Sequence, residues 1–300
     1  MPSAKDCLTT TKSYISEMKI LVTGGNGQLG SALRLASAES SHRYIFTDIE
    51  ELDITSKSAI RAFVAENGID AVVNCAAYTA VDAAEENEEL ADMINHKAVA
   101  ALAEVCKEHN ATLIHISTDY IFDGNASTPY KEEDMPAPQS VYGRTKLLGE
   151  QAVAASGCRA IILRTAWLYS EFGRNFVKTM RGLMSSRPEI KVVADQVGTP
   201  TYAGDLAKAI VEIIESGQLS KYGTYHYSNE GVCSWYDFAV EIAKQSALCD
   251  CKIAPCTTAD YPTKAVRPRY SVLDKSKFVA TFGITIPEWQ KSLAECIKKF

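Results

Sequence analysis

A tyrosine and a lysine stand one helical turn apart in Tyr142-Gly143-Arg144-Thr145-Lys146. At i and i+4 of a helix the phenol and the ammonium share one face. A phenol beside a fixed cation is a proton donor suited to a developing alkoxide, because the cation favours the phenolate that is left behind. Tyr-x-x-x-Lys also arises by chance in helices, as an aromatic stem packed on a lysine, so the pair needs context. The run His115-Ile116-Ser117-Thr118-Asp119-Tyr120 supplies it, by ending a buried strand in hydroxyls. Such carboxyl ends are where open α/β sheets bind ligands. Thr118 is the hydroxyl expected to hydrogen-bond a substrate carbonyl. Ser117 reads as a turn or cap.

The second chemical signal is Thr23-Gly24-Gly25-Asn26-Gly27-Gln28-Leu29-Gly30, which follows the apolar Ile20-Leu21-Val22 and leads into a helical pattern. Its glycines satisfy two related dinucleotide spacings, Gly25-x-Gly27-x-x-Gly30 and Gly24-x-x-Gly27-x-x-Gly30. Glycine permits the sharp turn, lets the backbone approach a pyrophosphate and brings the helix close to the strand. The helix start then offers unpaired N–H groups and a positive dipole end. Asp48 follows the next strand run, Tyr44–Thr47, and is expected to accept hydrogen bonds from the adenosine ribose. It would repel a 2′-phosphate, which favours NADH over NADPH. Arg43 lies near enough in sequence to keep NADPH open, although it reads first as a solvated charge at the strand start. Ala76-Ala77-Tyr78 would let ribose and diphosphate pass over the sheet edge, although Ala-Ala after a strand is also plain packing.

The elements that must position these groups alternate. Short apolar runs at 19–22, 44–46, 71–74, 112–116 and 160–163 read as strands buried on both faces. Helical patterns at 28–37, 56–66, 88–109 and 139–155 separate them. This is the rhythm of a Rossmann-type doubly wound parallel sheet. Beyond Arg164 glycine, proline and aromatic residues become frequent, short strands (191–193 and 224–227) mix with helices (202–215, 234–246 and 287–299), and a smaller C-terminal α/β lobe is expected. The boundaries read as a disordered extension over 1–17, a dinucleotide-binding domain over 18–170, and a lobe over 171–300 from which some segments return to the first core.

With 300 residues, 46% of them hydrophobic, the chain can bury a substantial core. Its net charge of −6 and lack of a dense Lys/Arg run argue against nucleic acid as a partner. No apolar run approaches a membrane span, and residues 1–17 lack the apolar segment of a secretory signal. The nine cysteines are scattered, as expected of reduced cytoplasmic thiols, with Cys75 and Cys106 in apolar core patterns. Cys233, Cys249, Cys251 and Cys256 lie closer together, but their spacing is not that of a zinc site, and no metal is expected.

Thr-Gly-Gly-x-Gly-x-x-Gly, Ser117-Thr118-Asp119-Tyr120 and Tyr142-x-x-x-Lys146 together resemble the extended short-chain dehydrogenases/reductases. Within them the chain is similar to the dTDP-4-dehydrorhamnose reductases, on Leu52-Asp53-Ile54-Thr55, Asn74-Cys75-Ala76-Ala77-Tyr78-Thr79-Ala80-Val81-Asp82, Phe122-Asp123-Gly124, Arg164-Thr165-Ala166-Trp167-Leu168-Tyr169 and Asp195-Gln196-x-Gly198-Thr199-Pro200-Thr201. The likeness covers residues 18–300. It implies reduction of a dTDP-linked 4-keto sugar with NADH or NADPH, since the family uses both, and it leaves a homodimer open. Thr118, Tyr142 and Lys146 are implied as catalytic. Gly24, Gly27, Gln28, Leu29, Gly30, Asp48, Asp53, Ile54, Ala76, Ala77 and Tyr78 would line the cofactor with Tyr142 and Lys146, Asp53 beside the adenine. Thr118, Asp119, Tyr142 and Trp167 would meet the sugar nucleotide, with Asn175 and Arg267 at its diphosphate. Asn95 matches an asparagine that supports the lysine through water. Without the resemblance Trp167 reads as a lobe-packing aromatic. Two rivals remain open: a reductase of another nucleotide-linked 4-keto sugar, and a regulatory subunit like the methionine adenosyltransferase β subunit.

Overall fold

Uninterrupted apolar runs bury both faces of a central sheet, and the side chains of each run alternate between two helical layers. The computed structural model describes residues 17–300; apart from Glu17, the expected extension lies outside them. The first half runs β1 (Lys19–Thr23), α1 (Gln28–Ala36), β2 (Arg43–Thr47), α2 (Lys57–Asn67), β3 (Ala71–Asn74), α3 (Val81–Ala84), α4 (Glu88–Asp92), α5 (Ala98–Glu108), β4 (Thr112–Thr118), α6 (Val141–Ser156) and β5 (Ala160–Thr165). The second continues with β6 (Leu168–Tyr169), α7 (Phe176–Ser186), β7 (Glu189–Val193), β8 (Val197–Gly198), β9 (Thr201–Tyr202), α8 (Ala203–Glu215), β10 (Gly223–His226), β11 (Cys233–Ser234), α9 (Trp235–Gln245), β12 (Lys252–Cys256), α10 (Ser276–Phe282) and α11 (Trp289–Ile297).

The six-stranded sheet has the order β10-β5-β4-β3-β1-β2, with every neighbouring pair parallel. Ile20 and Val22 point into one layer, with Leu33 of α1, Leu206 and Ile210 of α8 and Phe278 of α10. Leu21 points into the other, with Ile60 and Val64 of α2, Leu102 of α5 and Val153 of α6. This is the period-two alternation of a strand covered on both sides. The strand order reverses between β1 and β3, and a crevice opens at their carboxyl ends. Helices α7, α9 and α11 form a second core around Val177, Phe238 and Leu293, beside the parallel pair β7–β12. Helix α8 and strand β10 belong to the first layer system although they follow α7 in sequence.

One expected helix, 88–109, is interrupted. Residues Met93–Lys97 form a π-helical turn between α4 and α5. Asn95 within it is fully buried. Its amide accepts from the Tyr78 N–H at 2.8 Å and donates to the Tyr78 carbonyl and the Thr145 hydroxyl at 3.1 and 3.2 Å. A widened turn, common at functional positions, aims this side chain inward. The loop after β3 is thereby tied directly to the helix that carries Tyr142.

Candidate active site

The glycine loop leaves β1 with Gly24 at φ +65°, and a Cβ at Gly30 would stand 2.3 Å from the Gly24 carbonyl oxygen. Only glycine allows α1 to begin so close to the strand. The first turn of α1 has no side-chain cap, so its N–H groups face the crevice, as an anion site requires. Two cavities of about 490 and 520 Å³ adjoin there, and Gly24, Gly27, Cys75 and Ala77 line both. Asp48, Asp53, Ile54 and Ala76 line the first; Leu29, Thr118, Tyr142 and Lys146 line the second. A dinucleotide fits this arrangement, with anion-binding N–H groups between an acidic end and a proton-donating end. Asp48 accepts the N–H groups of Asn26 and Ile49 at 3.0 and 2.9 Å, and each oxygen keeps a further lone pair for a hydroxyl. Asp53 accepts both the N–H and the hydroxyl of Thr55, which hold its pKa below the usual value.

At the other end, Ser140 caps α6 by accepting the Gly143 N–H at 3.1 Å. A Cβ at Gly143 would fall 2.1 Å from the Tyr120 carbonyl oxygen, so a glycine there lets the helix settle onto the end of β4. Burial pushes the Tyr142 phenol up to about 12, against the lowering effect of the Thr118 hydroxyl. The tyrosine is therefore protonated at neutral pH, the form a proton donor needs. Lys146 is buried, donates to the Ile116 carbonyl at 2.6 Å, and is pulled down to about 8 by its burial. Its hydrogen bond to the strand carbonyl fixes the ammonium one helical turn from the phenol, where its charge rather than a hydrogen bond would act. Thr118 donates to Asp119 at 3.0 Å and accepts the Tyr120 N–H at 3.2 Å. Asp119 is buried, with Oδ2 unpartnered, and burial raises it to about 6.

Several expectations change. Thr118 caps the turn that follows β4, whereas Ser117 is a buried strand residue whose hydroxyl has no partner and lines the cavity. Cys75 packs against the first core from the cavity floor, half-buried there, while Cys106 is wholly buried. Arg43 starts β2 and Asp48 follows its end, so the two are separated by about 16 Å of extended chain. The Gln28 side chain turns toward the second lobe, accepting from Ser170 and Asn175, both at 3.0 Å. Asn175 also caps α7 and donates to the Ser170 and Phe172 carbonyls. Its amide is thus committed to joining the glycine loop to α7. Tyr78 packs with Tyr142 against Ala84, Ala91 and Val141, and its main chain is held by Asn95.

Trp167 lines the second cavity with φ +49°, in the left-handed region unusual for a bulky residue. It stacks on Trp235 with ring centroids 3.6 Å apart, and Trp235 meets Phe176 at 4.5 Å. Trp235 and Phe176 continue as the wall of a further cavity of about 550 Å³, reached by Arg267. Neither aromatic was singled out in the sequence, because only the fold brings α7 and α9 beside β5. Arg267 is half-buried: it donates to Asp82 at 2.7 Å and keeps a buried, unpartnered Nε. Among the described residues no group of three or more His, Cys, Asp or Glu comes together to hold a metal, and no helix is long and apolar enough to cross a membrane.

The family model described as RmlD substrate binding domain matches residues 18–300. A dTDP-4-dehydrorhamnose reductase of Aggregatibacter actinomycetemcomitans is 42% identical over 284 residues, covering 92% of this chain and 97% of that protein. The crystal structure of a Clostridium acetobutylicum dTDP-4-dehydrorhamnose reductase superposes with a TM-score of 0.90 at 46% identity, covering 94% of this chain and 99% of that one. That of the Bacillus anthracis dTDP-4-dehydrorhamnose reductase in complex with NADP gives 0.90 at 37% identity, covering 95% and 100%.

Proposed function

Because the chain belongs to the dTDP-4-dehydrorhamnose reductase family, we propose that it reduces the 4-keto group of dTDP-4-dehydro-L-rhamnose, using NADH or NADPH. The product is dTDP-L-rhamnose, a precursor for cell-surface polysaccharide. The observation that carries this reading is that the uncapped start of α1 and the side chains of Thr118, Tyr142 and Lys146 converge on two adjoining cavities.

When bound, the dinucleotide supplies the hydride. The protein's part is position and the proton. Thr118 orients the carbonyl oxygen toward Tyr142. The phenol O–H breaks as a new O–H forms on that oxygen, and the charge of Lys146 stabilises the phenolate that remains. Asp119 meets sugar hydroxyls, the Trp167–Trp235–Phe176 wall covers the apolar face of the nucleotide sugar, and Arg267 faces its diphosphate. Asn175, whose amide is spent internally, holds Gln28 and the glycine loop against the second lobe. Asp48 and Asp53 receive the adenosine end, over a groove shaped by Gly24, Gly27, Gly30, Leu29, Ile54, Ala76 and Ala77. Unpaired thiols at the described cysteines support a reducing compartment such as the cytoplasm.

The purified protein, given NADH or NADPH with dTDP-4-dehydro-L-rhamnose and other dTDP-keto sugars, should oxidise the nicotinamide fastest with the first and release dTDP-L-rhamnose. Faster turnover of a different keto sugar would reassign the substrate. No turnover with any of them would favour a regulatory subunit.

A further inference from the structure

Tyr142, Lys146 and Glu150 recur at four-residue steps of α6, so their side chains share one face. The third of them has no part in the chemistry above, yet it is 5% exposed. A buried carboxylate is costly unless paired, and Glu150 is held by Arg164 of β5, 5% exposed in its turn. The guanidinium donates from Nε at 3.0 and 3.2 Å and from Nη2 at 2.7 Å. Arg164 is itself fixed by the Glu132 carbonyl at 3.1 Å and by the Phe122 ring, 5.4 Å from its centroid. The carboxylate therefore has one geometry.

Lys146 needs such a group. It is 2% exposed, and its one hydrogen-bond partner is a neutral carbonyl. The charged and titratable groups around it come from four elements. Cys75, after β3, is kept a neutral thiol by burial. His115 of β4 is kept neutral by burial and by the lysine itself. Asp119 lies beyond Thr118 and acts on Tyr142. On α6, Tyr142 is protonated, which leaves Glu150 as the carboxylate that favours the charged lysine. Arg164 of β5 is paired with that carboxylate.

We infer that Glu150 is a positioning residue of the reductase: locked by Arg164, it supplies the counter-charge that keeps the buried Lys146 ammonium protonated at working pH. The inference rests on the proposed role of Lys146. A purely structural Glu150–Arg164 bridge between α6 and β5 would be indifferent to the lysine.

Removing both charges together distinguishes the two. A Glu150→Met/Arg164→Met variant leaves no orphaned ion, and apolar replacement of a buried pair is commonly tolerated. Glu150→Gln, which keeps an acceptor for Arg164, is the second variant. The measurement is kcat/KM against pH, whose alkaline limb reports deprotonation of the lysine in the free enzyme. Loss of a carboxylate lowers the pKa of a neighbouring ammonium, so in both variants the limb should move acidward by about one unit or more. The deficit against wild type should grow about tenfold per pH unit between the displaced limb and the wild-type limb, and hold constant above the latter. A limb unmoved in a folded variant overturns the assignment of Glu150 and leaves Lys146 standing. Wild-type turnover in Lys146→Met overturns both.

Discussion

Arg267, in the chain between β12 and α10, donates to Asp82 of α3, Nη2 to Oδ2 at 2.7 Å. The Ala265 N–H reaches the other oxygen of Asp82 at 3.1 Å, and Lys264 pairs with Glu86 beside it. Arg267 also acts on Tyr120, whose ring meets Tyr142 edge-on at 5.5 Å. The segment that carries Arg267 is therefore anchored over the proton donor.

Arg267 thus lies between one carboxylate, Asp82, and the aromatic wall of the third cavity, with Nε buried and unpartnered. A charge-assisted hydrogen bond to a diphosphate is worth about 1.5–3 kcal/mol. Arg267→Ala should raise KM for the nucleotide sugar by about tenfold or more and leave KM for the dinucleotide unchanged, because the glycine loop lies elsewhere. Initial-rate kinetics varying each substrate in turn reads this. Equal effects on both constants, or none, would take Arg267 out of the site.

Tyr142→Phe removes a hydroxyl and little else. The ring still packs against Ala84, Ala91 and Val141, so the fold and the dinucleotide groove should persist. Loss of a general acid costs about 10²–10⁴ in rate. The expected outcome is a fall in kcat of that size with dinucleotide affinity, by calorimetry, close to wild type. Retained turnover would move the proton donor elsewhere, with Asp119 the first residue to examine.

Local spacing made part of this site legible. The glycine loop and the Tyr142–Lys146 step each lie within eight residues, and the chemistry of each follows from strand-to-helix geometry or from i,i+4 neighbours. Buried runs such as Ile20–Val22 and Ala71–Val73 announce a parallel sheet for the same reason. Trp235, Phe176 and the pairing of Asp82 with Arg267 were not legible, because long-range packing alone brings these groups together. The π-helical turn at Met93–Lys97 leaves no mark on an apolar periodicity that reads equally well as one helix. Arg43, five positions from Asp48, is the exposed start of β2, a solvated strand-start charge, because an extended strand separates residues faster than any other element.

Asp48 sets an expectation for the cofactor. Its carboxylate is fixed by the Asn26 and Ile49 N–H groups, and Glu51 accepts its own N–H at 2.8 Å, adding a second negative charge. Bringing a 2′-phosphate to this corner costs about 1–3 kcal/mol. The protein should show higher kcat/KM with NADH than with NADPH, and Asp48→Ala should shift the ratio toward NADPH. A wild-type preference for NADPH would point to Arg34, which lies over the Phe46 ring at 4.2 Å, as the cation that reaches the phosphate.

Acid should unfold the protein through its buried histidines. Burial first, then the neighbouring Arg164, lowers His226 to about 3, and burial holds His115 well below its ordinary value. In the unfolded chain both take up protons near pH 6.5. Below that pH the unfolded state binds more protons than the folded one, and stability is lost as pH falls toward the folded values. Each histidine contributes up to ~1.4 kcal/mol per pH unit in that window. Asp119 opposes this in part: its folded value, about 6, lies above its ordinary 3.8, so protonation between these two favours the folded state. Thermal melts from pH 7 to pH 4 should show a steady fall in Tm. In His226→Gln, whose amide keeps a donor for the Tyr130 carbonyl that Nδ1 meets at 3.0 Å, the slope should be shallower by about one histidine's share. An identical slope in that variant would mean that His226 is protonated in the folded protein, with its charge compensated within the Arg164–Glu150 cluster.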